Sequence, residues 1–224
     1  MHAVMDKTIL VLDYDGTLHD SRAVYEPAFR KVMKEISALG WIPEKEYSSE
    51  EILHWVGFSS AEMWQRFHPE LSAEQKSWAG KRIGSYMRAD VEAGRGRLYP
   101  GVPEVLEELA RDYELYFFSN CHRIYADTHR RAFGLDRWIS RFYCIGDYGD
   151  LQKEEVFAAH IYEPGRRYIA VGDRFKDINL AKDRGLKSIG CLYGFGSPEE
   201  LAGADVLIRD IHELNGAADR LSGL

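Results

Sequence analysis

The sequence has little cysteine and no hydrophobic run long enough to cross a membrane. Its 224 residues include three cysteines, Cys121, Cys144 and Cys191, which are widely spaced and form no metal-ligand pattern. We therefore expect reduced thiols in a cytoplasmic protein, with neither disulfides nor a zinc site. A membrane-spanning helix needs about 20 predominantly apolar residues, and no stretch of the chain approaches that length, so we expect no membrane partner.

An excess of basic residues is also absent. The chain carries 29 Lys and Arg residues against 36 Asp and Glu residues, which gives a formal net charge of −7. Because nucleic-acid-binding proteins normally present a basic surface, we expect no nucleic-acid partner. The N-terminal segment MHAVMDKTILVLDYD has a short apolar core that runs into acidic residues, so we expect no secretory signal peptide. An anionic substrate would have to be attracted locally, by a metal ion or by a few cations.

Short apolar segments bounded by Gly, Asp or Asn recur along the chain and alternate with helical patterns. This alternation predicts an α/β fold with a Rossmann-like parallel sheet and helices on both of its faces. Ligands of open α/β sheets bind just beyond the carboxyl ends of the strands. Polar residues at the ends of four of these segments are therefore expected along one edge of the sheet: Asp13 with Asp15, Ser119 with Asn120, Asp147, and Asp173.

Residues 20–97 break the alternation with a helical pattern. Apolar residues from Val24 to Leu39 recur at helical spacing, and Ser21 is a possible N-cap. The segments SSEEILHWV, SSAEMWQRF and SAEQKSWAG resemble capping boxes, which mark helix N-termini. We predict an all-helical cap domain at 20–97, inserted after the first strand of a discontinuous core formed by 1–19 and 98–224. Its two short linkers would form a hinge if they lie close together.

Two aspartates, Asp13 and Asp15, follow the first apolar segment in LVLDYDGTLHD. Their carboxylates repel each other unless one holds a proton or a cation neutralises the site, and a hard divalent ion such as Mg²⁺ would do so. One carboxylate could then attack phosphorus, while the other donates a proton to the leaving oxygen and later activates water. The alternative is a structural turn rich in aspartate.

The string DYDGTL resembles the first motif of the haloacid dehalogenase-like (HAD) hydrolase superfamily, DxDGT followed by an apolar residue. Three segments are similar to the remaining motifs, in the required order: YFFSN, GDLQKEE and VGDRFKD. The helical insert resembles the family's C1-type cap, and LYGFGSPEEL is similar to a closing loop of phosphoglycolate phosphatase-like members. In the family the lysine of the third motif is often followed by Pro, whereas Glu154 follows it here.

The resemblance implies a Mg²⁺-dependent phosphoric monoester hydrolase that acts through an aspartyl-phosphate intermediate. It implies Asp13 as the nucleophile and Asp15 as the acid and base, with Asp13, Asp15 and Asp173 as metal ligands. It also implies three phosphate-binding residues: Ser119, Asn120 and Lys153. The supporting residues that it implies are Asp177, Gly16 and Thr17. We expect a small phosphorylated metabolite as the substrate, and a monomer or a homodimer.

Two alternative functions stay open at this point. One is a HAD phosphomutase of the hexose-phosphate type, and the other is a non-catalytic HAD-fold protein that binds a phosphorylated metabolite. The carboxylate at Asp15 favours phosphoryl transfer over carbon–halogen cleavage. Substrate contacts from the cap are expected among residues that could equally be core or surface: His54, Trp55, Trp64, Arg66, Arg82 and Arg88. His19 and His122 lie beside the motifs and could also contact substrate.

Overall fold

A parallel sheet organises this computed structural model, which describes residues 7–149, 151–182 and 184–223. Within these residues six strands are present: β1 (Ile9–Leu12), β2 (Glu114–Ser119), β3 (Ile139–Cys144), β4 (Tyr168–Gly172), β5 (Lys187–Cys191) and β6 (Val206–Ile208). Their order is β3-β2-β1-β4-β5-β6, and each neighbouring pair is parallel. The predicted parallel α/β fold is confirmed. Residues 1–6, 150, 183 and 224, which belong to the predicted core, lie outside the described residues.

Helices connect the strands on both faces of the sheet. The described residues contain α1 (Arg22–Ala38), α2 (Ser49–Leu53), α3 (Ser60–Phe67), α4 (Ala73–Glu92), α5 (Val102–Asp112), α6 (Arg123–Phe133), α7 (Lys153–Val156), α8 (Phe175–Lys182), α9 (Pro198–Leu201) and α10 (Leu214–Ser222). A π-helical turn, Phe157–Ile161, continues α7, and short 3₁₀ segments cover Leu135–Arg137, Ile145–Asp147 and Ile211–Glu213. None of the helices in the described part of the chain is long and apolar enough to span a bilayer.

The central strand β1 is buried on both faces because its alternate side chains enter two different apolar clusters. Leu10 and Leu12 join a cluster that includes residues of α5 and α10, whereas Ile9 and Val11 join one that includes residues of α7 and α8. Successive side chains of a strand point to opposite faces, so two clusters are the expected result of a sheet covered on both sides. This explains the continuous apolar segment that ends at Asp13.

Four helices, α1 to α4, lie within residues 20–97, between β1 and α5, in a segment that the structure describes in full. The serines predicted as capping residues begin three of them: Ser48 and Ser59 each form a reciprocal capping box with a glutamate, and Ser72 forms one with Gln75. These boxes satisfy N–H groups that would otherwise lack partners at the start of each helix. Pro27 lies inside α1, which begins before it at Arg22.

The two ends of this helical segment run side by side. His19 and Leu98 form an antiparallel bridge, the Asp20 N–H donates to the Arg97 carbonyl at 2.9 Å, and the Tyr99 N–H donates to the Leu18 carbonyl at 2.9 Å. Apolar residues of α1 and α4 also belong to the same buried cluster as one face of the sheet. The division into a core and a separate cap domain at 20–97 stays a prediction.

Replacing Leu10 by Ala tests how much the burial of β1 contributes to the stability of the fold. Leu10 is fully buried, so Leu10→Ala should lower the free energy of unfolding by about 2–5 kcal/mol through lost apolar contact and a residual cavity. Leu207→Ala is the matched control, because Leu207 lies on the edge strand β6 and is 40% exposed. Urea unfolding at 25 °C measures both changes. Equal losses in the two variants would contradict this description of the core.

Candidate active site

Polar residues from three adjacent strands meet at the carboxyl edge of the sheet. Asp13 follows β1, Ser119 ends the neighbouring strand β2, and Asp173 follows β4 on the other side of β1. Because these strands are parallel and adjacent, their carboxyl ends lie together. Asp147 does not join them: it lies in a 3₁₀ segment after β3, where its Oδ2 accepts a hydrogen bond from Nε of Arg123 at 2.9 Å.

Three carboxylates and one lysine form a buried group at this edge. Asp13, Asp173 and Asp177 each offer an oxygen within 4.8 Å of the others, and all three are at most 6% exposed. Lys153 begins α7 and is also buried, with its Nζ 2.7 Å from Oδ1 of Asp13 and 2.6 Å from Oδ1 of Asp177. The structure therefore brings four of the predicted site residues into direct or near contact.

This group carries excess negative charge when its members are ionised. Burial raises the pKa of Asp13 to about 7, although Lys153 acts in the opposite direction, and burial also raises the pKa of Asp173 well above its ordinary value. Burial lowers the pKa of the Lys153 ammonium, but Asp13 and Asp177 outweigh that effect and raise it. Three carboxylates beside one ammonium fit a hard divalent cation such as Mg²⁺, because the cation would replace bound protons and supply the missing positive charge.

The turn after β1 allows Asp173 to approach the backbone closely. Gly16 has a φ of +92°, and a Cβ atom at this position would collide with the Asp173 carboxylate. Thr17 Oγ1 donates to Oδ1 of Asp173 at 3.4 Å, and the Phe195 N–H donates to Oδ2 at 2.7 Å. Gly16 and Thr17, predicted as supporting residues, thus lie against Asp173. Phe195 belongs to the loop that the sequence comparison with the family singled out.

The carboxylate of Asp15 lies in a different environment from that of Asp13. Its Oδ1 accepts hydrogen bonds from Ser21 Oγ at 2.5 Å, Tyr125 Oη at 2.7 Å and His19 Nδ1 at 3.0 Å. No hydrogen bond from the described residues reaches Oδ2. The Asp15 side chain thus lies outside the carboxylate group, which contains Asp177, and the role of Asp15 as a metal ligand stays a prediction.

The donors around Asp15 also set its protonation state. Burial acts to raise the pKa of Asp15, but the hydrogen bond and charge of His19, with smaller contributions from His129 and Ser21, outweigh burial and lower it. The pKa of His129, which accepts or donates a hydrogen bond with the Tyr14 hydroxyl at 2.8 Å, falls to about 3 because the ring is buried. Asp15 is therefore a carboxylate at neutral pH in the absence of substrate.

Three residues around Asp15 were not assigned to it by sequence reasoning. Ser21 was expected to cap α1, yet its side chain makes no cap hydrogen bond and binds Asp15 instead. His19 was considered only for substrate contact, and its position four residues after Asp15 was the available signal. Tyr125 lies on α6, 110 positions from Asp15, and nothing in its local sequence marks it.

The loop after α2 lies over the carboxyl edge of the sheet. Nδ2 of Asn120 donates to the Gly57 carbonyl at 2.9 Å, so this predicted phosphate-binding residue contacts the helical segment. Arg174 Nη1 lies 3.2 Å from the His54 carbonyl and 3.3 Å from the Val56 carbonyl. Ser119 itself is buried at the end of β2. These contacts fix the loop against the strand ends that carry the site.

A cavity of about 150 Å³ is lined by Asp15, by the loop after α2 and by residues of α1, α3, α4 and α6. Of the six cap residues predicted to contact substrate, Trp55 lines this cavity. Trp64 is instead fully buried, and the Arg82 guanidinium pairs with Glu35 at 3.0 Å. The other three predicted cap residues do not line the cavity: His54, Arg66 and Arg88.

Mg²⁺ should stabilise the protein in a pH-dependent way. Carboxyls with raised pKa values contribute stability at about pH 4 that is lost as the pH rises through about 7, so the cation should have its largest effect above pH 7. At a Mg²⁺ concentration a hundredfold above its dissociation constant, the gain is about 2.7 kcal/mol. Calorimetry at pH 5 and pH 8, with Mg²⁺ or with chelator, measures the change in melting temperature.

Two aspartate variants control this measurement. Asp173→Asn removes a carboxylate from the buried group and should abolish the Mg²⁺-dependent shift, whereas Asp136→Asn removes an exposed carboxylate and should preserve it. A shift of equal size in both variants, or a larger shift at pH 5 than at pH 8, would show that the buried group does not hold the ion.

Known proteins resemble this chain over most of its length. A 5'-nucleotidase of Pseudomonas aeruginosa is 28% identical over 199 residues, which cover 86% of each chain. A phosphoglycolate phosphatase of Agrobacterium fabrum is 28% identical over 220 residues, which cover 93% of this chain and 91% of the relative. The crystal structure of a predicted phosphatase from Clostridium acetobutylicum is 23% identical, and the match covers 96% of this chain and 100% of that chain. Its TM-score of 0.80 shows that the two proteins share the fold.

The family assignment rests on a match that spans the strands and motifs described above. The family model for haloacid dehalogenase-like hydrolase matches residues 10–191, which begin within β1, extend to the end of β5 and include every predicted site residue. Because the match covers well over half of the 224 residues, the chain belongs to the haloacid dehalogenase-like hydrolase family.

Proposed function

We propose that this phosphatase of the haloacid dehalogenase-like family hydrolyses a small-molecule phosphomonoester through an aspartyl-phosphate intermediate, with Mg²⁺ as cofactor. The observation that carries the proposal is the separation of two neighbouring aspartates. Asp13 lies against Lys153 in the buried carboxylate group, whereas Asp15 lies under three hydrogen-bond donors and faces a cavity. Two carboxylates in different environments suit two different chemical roles.

Asp13 is the proposed nucleophile. Its ionised carboxylate oxygen forms a bond to phosphorus as the bond between phosphorus and the leaving alcohol oxygen breaks. Lys153, 2.7 Å from Asp13 Oδ1, holds the carboxylate in place, and its charge stabilises the phosphoryl oxygens as the bonds change. Ser119, at the end of the adjacent strand, is proposed to donate to a phosphoryl oxygen. Asn120 is also proposed to contact the substrate, and this requires its hydrogen bond to the Gly57 carbonyl to break.

Asp15 is the proposed acid and base. The negative charge of a bound phosphate ester raises the pKa of a nearby carboxylate, so Asp15 takes up a proton when substrate binds. Its Oδ2, which no described donor occupies, then delivers that proton to the leaving oxygen. In the second step Asp15 removes a proton from a water molecule that attacks the phosphorus, which releases phosphate and regenerates the Asp13 carboxylate. Three donors on Oδ1 keep the group in position for both transfers.

The proposed cofactor has a matching set of oxygen ligands. Asp13 and Asp173 would hold Mg²⁺, with Asp177 within reach of the same position. Bound there, the ion would neutralise negative charge on the transferring phosphoryl group. We also propose that the protein works in the cytoplasm, as a monomer or homodimer, on a small phosphorylated metabolite.

Asparagine variants of the two aspartates test the assigned roles. Asp13→Asn should lower kcat for release of phosphate from an aryl phosphate by a factor on the order of 10³ to 10⁶, because an amide cannot form the intermediate. Asp15→Asn should lower kcat by about 10² to 10⁴, because the proton can no longer be transferred. Asp136→Asn, at an exposed position, should leave kcat unchanged. Retention of wild-type kcat by Asp13→Asn would contradict the mechanism.

Product analysis separates the proposed hydrolase from the two alternatives. A phosphomutase would convert one hexose phosphate isomer into the other in the presence of a sugar bisphosphate, whereas the hydrolase should release phosphate from both isomers without isomerisation. A non-catalytic binding protein would show calorimetric binding of esters and no phosphate release, in buffer with Mg²⁺ or with chelator. Either of these results would replace the proposed function.

A further inference from the structure

The cavity beside Asp15 has walls that are mainly aromatic and apolar. Tyr25 of α1, Trp55 and Phe58 of the loop after α2, and Met87 of α4 line it, together with Asp15. If Asp15 protonates the leaving oxygen, this cavity is the space into which the rest of the leaving alcohol extends. Its lining therefore bears on which alcohols the enzyme accepts.

The charges around the cavity do not suit an anionic group. Among the described residues that line it, none is Lys or Arg, and the one carboxylate is that of Asp15. His122 is exposed at the mouth of the cavity. An anionic leaving group would be buried in an apolar cavity with no cation among its described lining residues, which is a strongly unfavourable arrangement.

Two cations near the cavity are engaged elsewhere. Arg174 lies 4.8 Å from the centre of the Phe58 ring, but its Nε is 3.1 Å from Glu200 and its Nη1 contacts backbone carbonyls. Lys176 lies 5.6 Å from the same ring and pairs with Glu62 at 2.5 Å. Both cations hold the loop and helix α3 against the sheet edge.

Gly84 lines the cavity where α4 forms its wall, and it leaves open space there. A Cβ atom at Gly84 would meet a single atom within 4 Å, Nη1 of Arg88 at 4.0 Å, so contact with the protein does not require glycine here. By contrast, a Cβ atom at Gly80, one turn earlier, would collide with Ser60. Glycine in a helix interior costs about 1 kcal/mol relative to alanine. Because Gly84 lines the cavity, a ligand that occupies this space would account for the absence of a side chain there.

We propose that the enzyme selects phosphomonoesters whose leaving alcohol is uncharged and carries a ring, which packs between Trp55, Phe58 and the open face of α4 at Gly84. This inference rests on the proposed function, because it assigns the cavity to the leaving group. Nucleoside monophosphates and benzylic phosphates belong to this class. Phosphoglycolate, pyrophosphate and sugar bisphosphates do not, because each would place a further negative charge in a cavity whose described lining contains no Lys or Arg.

A matched pair of esters tests the charge argument. Benzyl phosphate and 4-carboxybenzyl phosphate have leaving alcohols of nearly equal intrinsic reactivity and differ by one carboxylate at the distal end of the ring. The wild-type kcat/KM should be higher for benzyl phosphate by a factor on the order of 10². Ethyl phosphate and phosphoglycolate form a second pair without a ring, and the uncharged ester should again be the better substrate.

A variant of α4 tests the position of the ring. Gly84→Leu should lower kcat/KM for benzyl phosphate by a factor on the order of 10 to 10², because the new side chain fills the space, and this loss should be larger than the loss for ethyl phosphate, which has no ring. Ser85→Leu is the matched control, since Ser85 is exposed on the same helix and should leave both substrates unchanged. Equal melting temperatures of the two variants would show that both are folded.

The outcomes distinguish this inference from the proposed function. Phosphate release that depends on Asp13, but is as fast with the carboxylated esters as with their uncharged partners, would overturn the inference and leave the hydrolase intact. A preference for the carboxylated ester that disappears in Arg88→Gln would overturn it too, and would identify Arg88 as the cation that binds the substrate. No phosphate release from any ester would overturn the proposed function itself.

Discussion

Lys153 lies within 2.7 Å of Asp13 and 2.6 Å of Asp177, in a buried group to which Asp173 adds a third carboxylate. Acidic groups so close together repel each other strongly away from water, and a single ammonium does not balance them. The surroundings of this group follow from that constraint. Loop 192–196 supplies a backbone donor at Phe195, and the glycine turn after β1 leaves room for Asp173. Because one ammonium cannot balance three carboxylates, the group would be stabilised by a further cation.

The parallel sheet makes this concentration of charge possible. Asp13 and Asp173 follow adjacent parallel strands, so their backbones are held close together by the hydrogen bonds of β1 and β4. The buried face of each strand supplies the apolar contacts that offset the unfavourable burial of carboxylates. The helical segment from α1 to α4 then covers the same edge, with Arg174 and Asn120 anchoring its loop. Asp15 thus lies between the buried carboxylate group and the apolar cavity.

Much of this arrangement could be predicted from the sequence, because its causes are local. The apolar segment before Asp13 predicts a buried strand, the serines before α2 to α4 predict capping boxes, and DYDGTL predicts the tight turn. Side-chain directions within the turn could not be predicted. Oδ1 of Asp15 binds Ser21 and His19, which are near in sequence, but also Tyr125, which is 110 positions distant. Trp55 and Trp64 lie in similar helical sequence patterns. Trp55 nevertheless lines the cavity, whereas Trp64 is buried, and this difference depends on the packing of α3 on α4.

The central claim is that Asp13 carries the phosphoryl group during turnover. Rapid mixing of enzyme with benzyl phosphate and Mg²⁺, followed by an acid quench and peptide mass spectrometry, tests this claim directly. The account predicts one phosphoryl group on the peptide that contains Asp13, formed within the first turnover and absent from Asp13→Asn. Phosphate release at the normal rate without this modification, or with the phosphoryl group on another residue, would contradict the account.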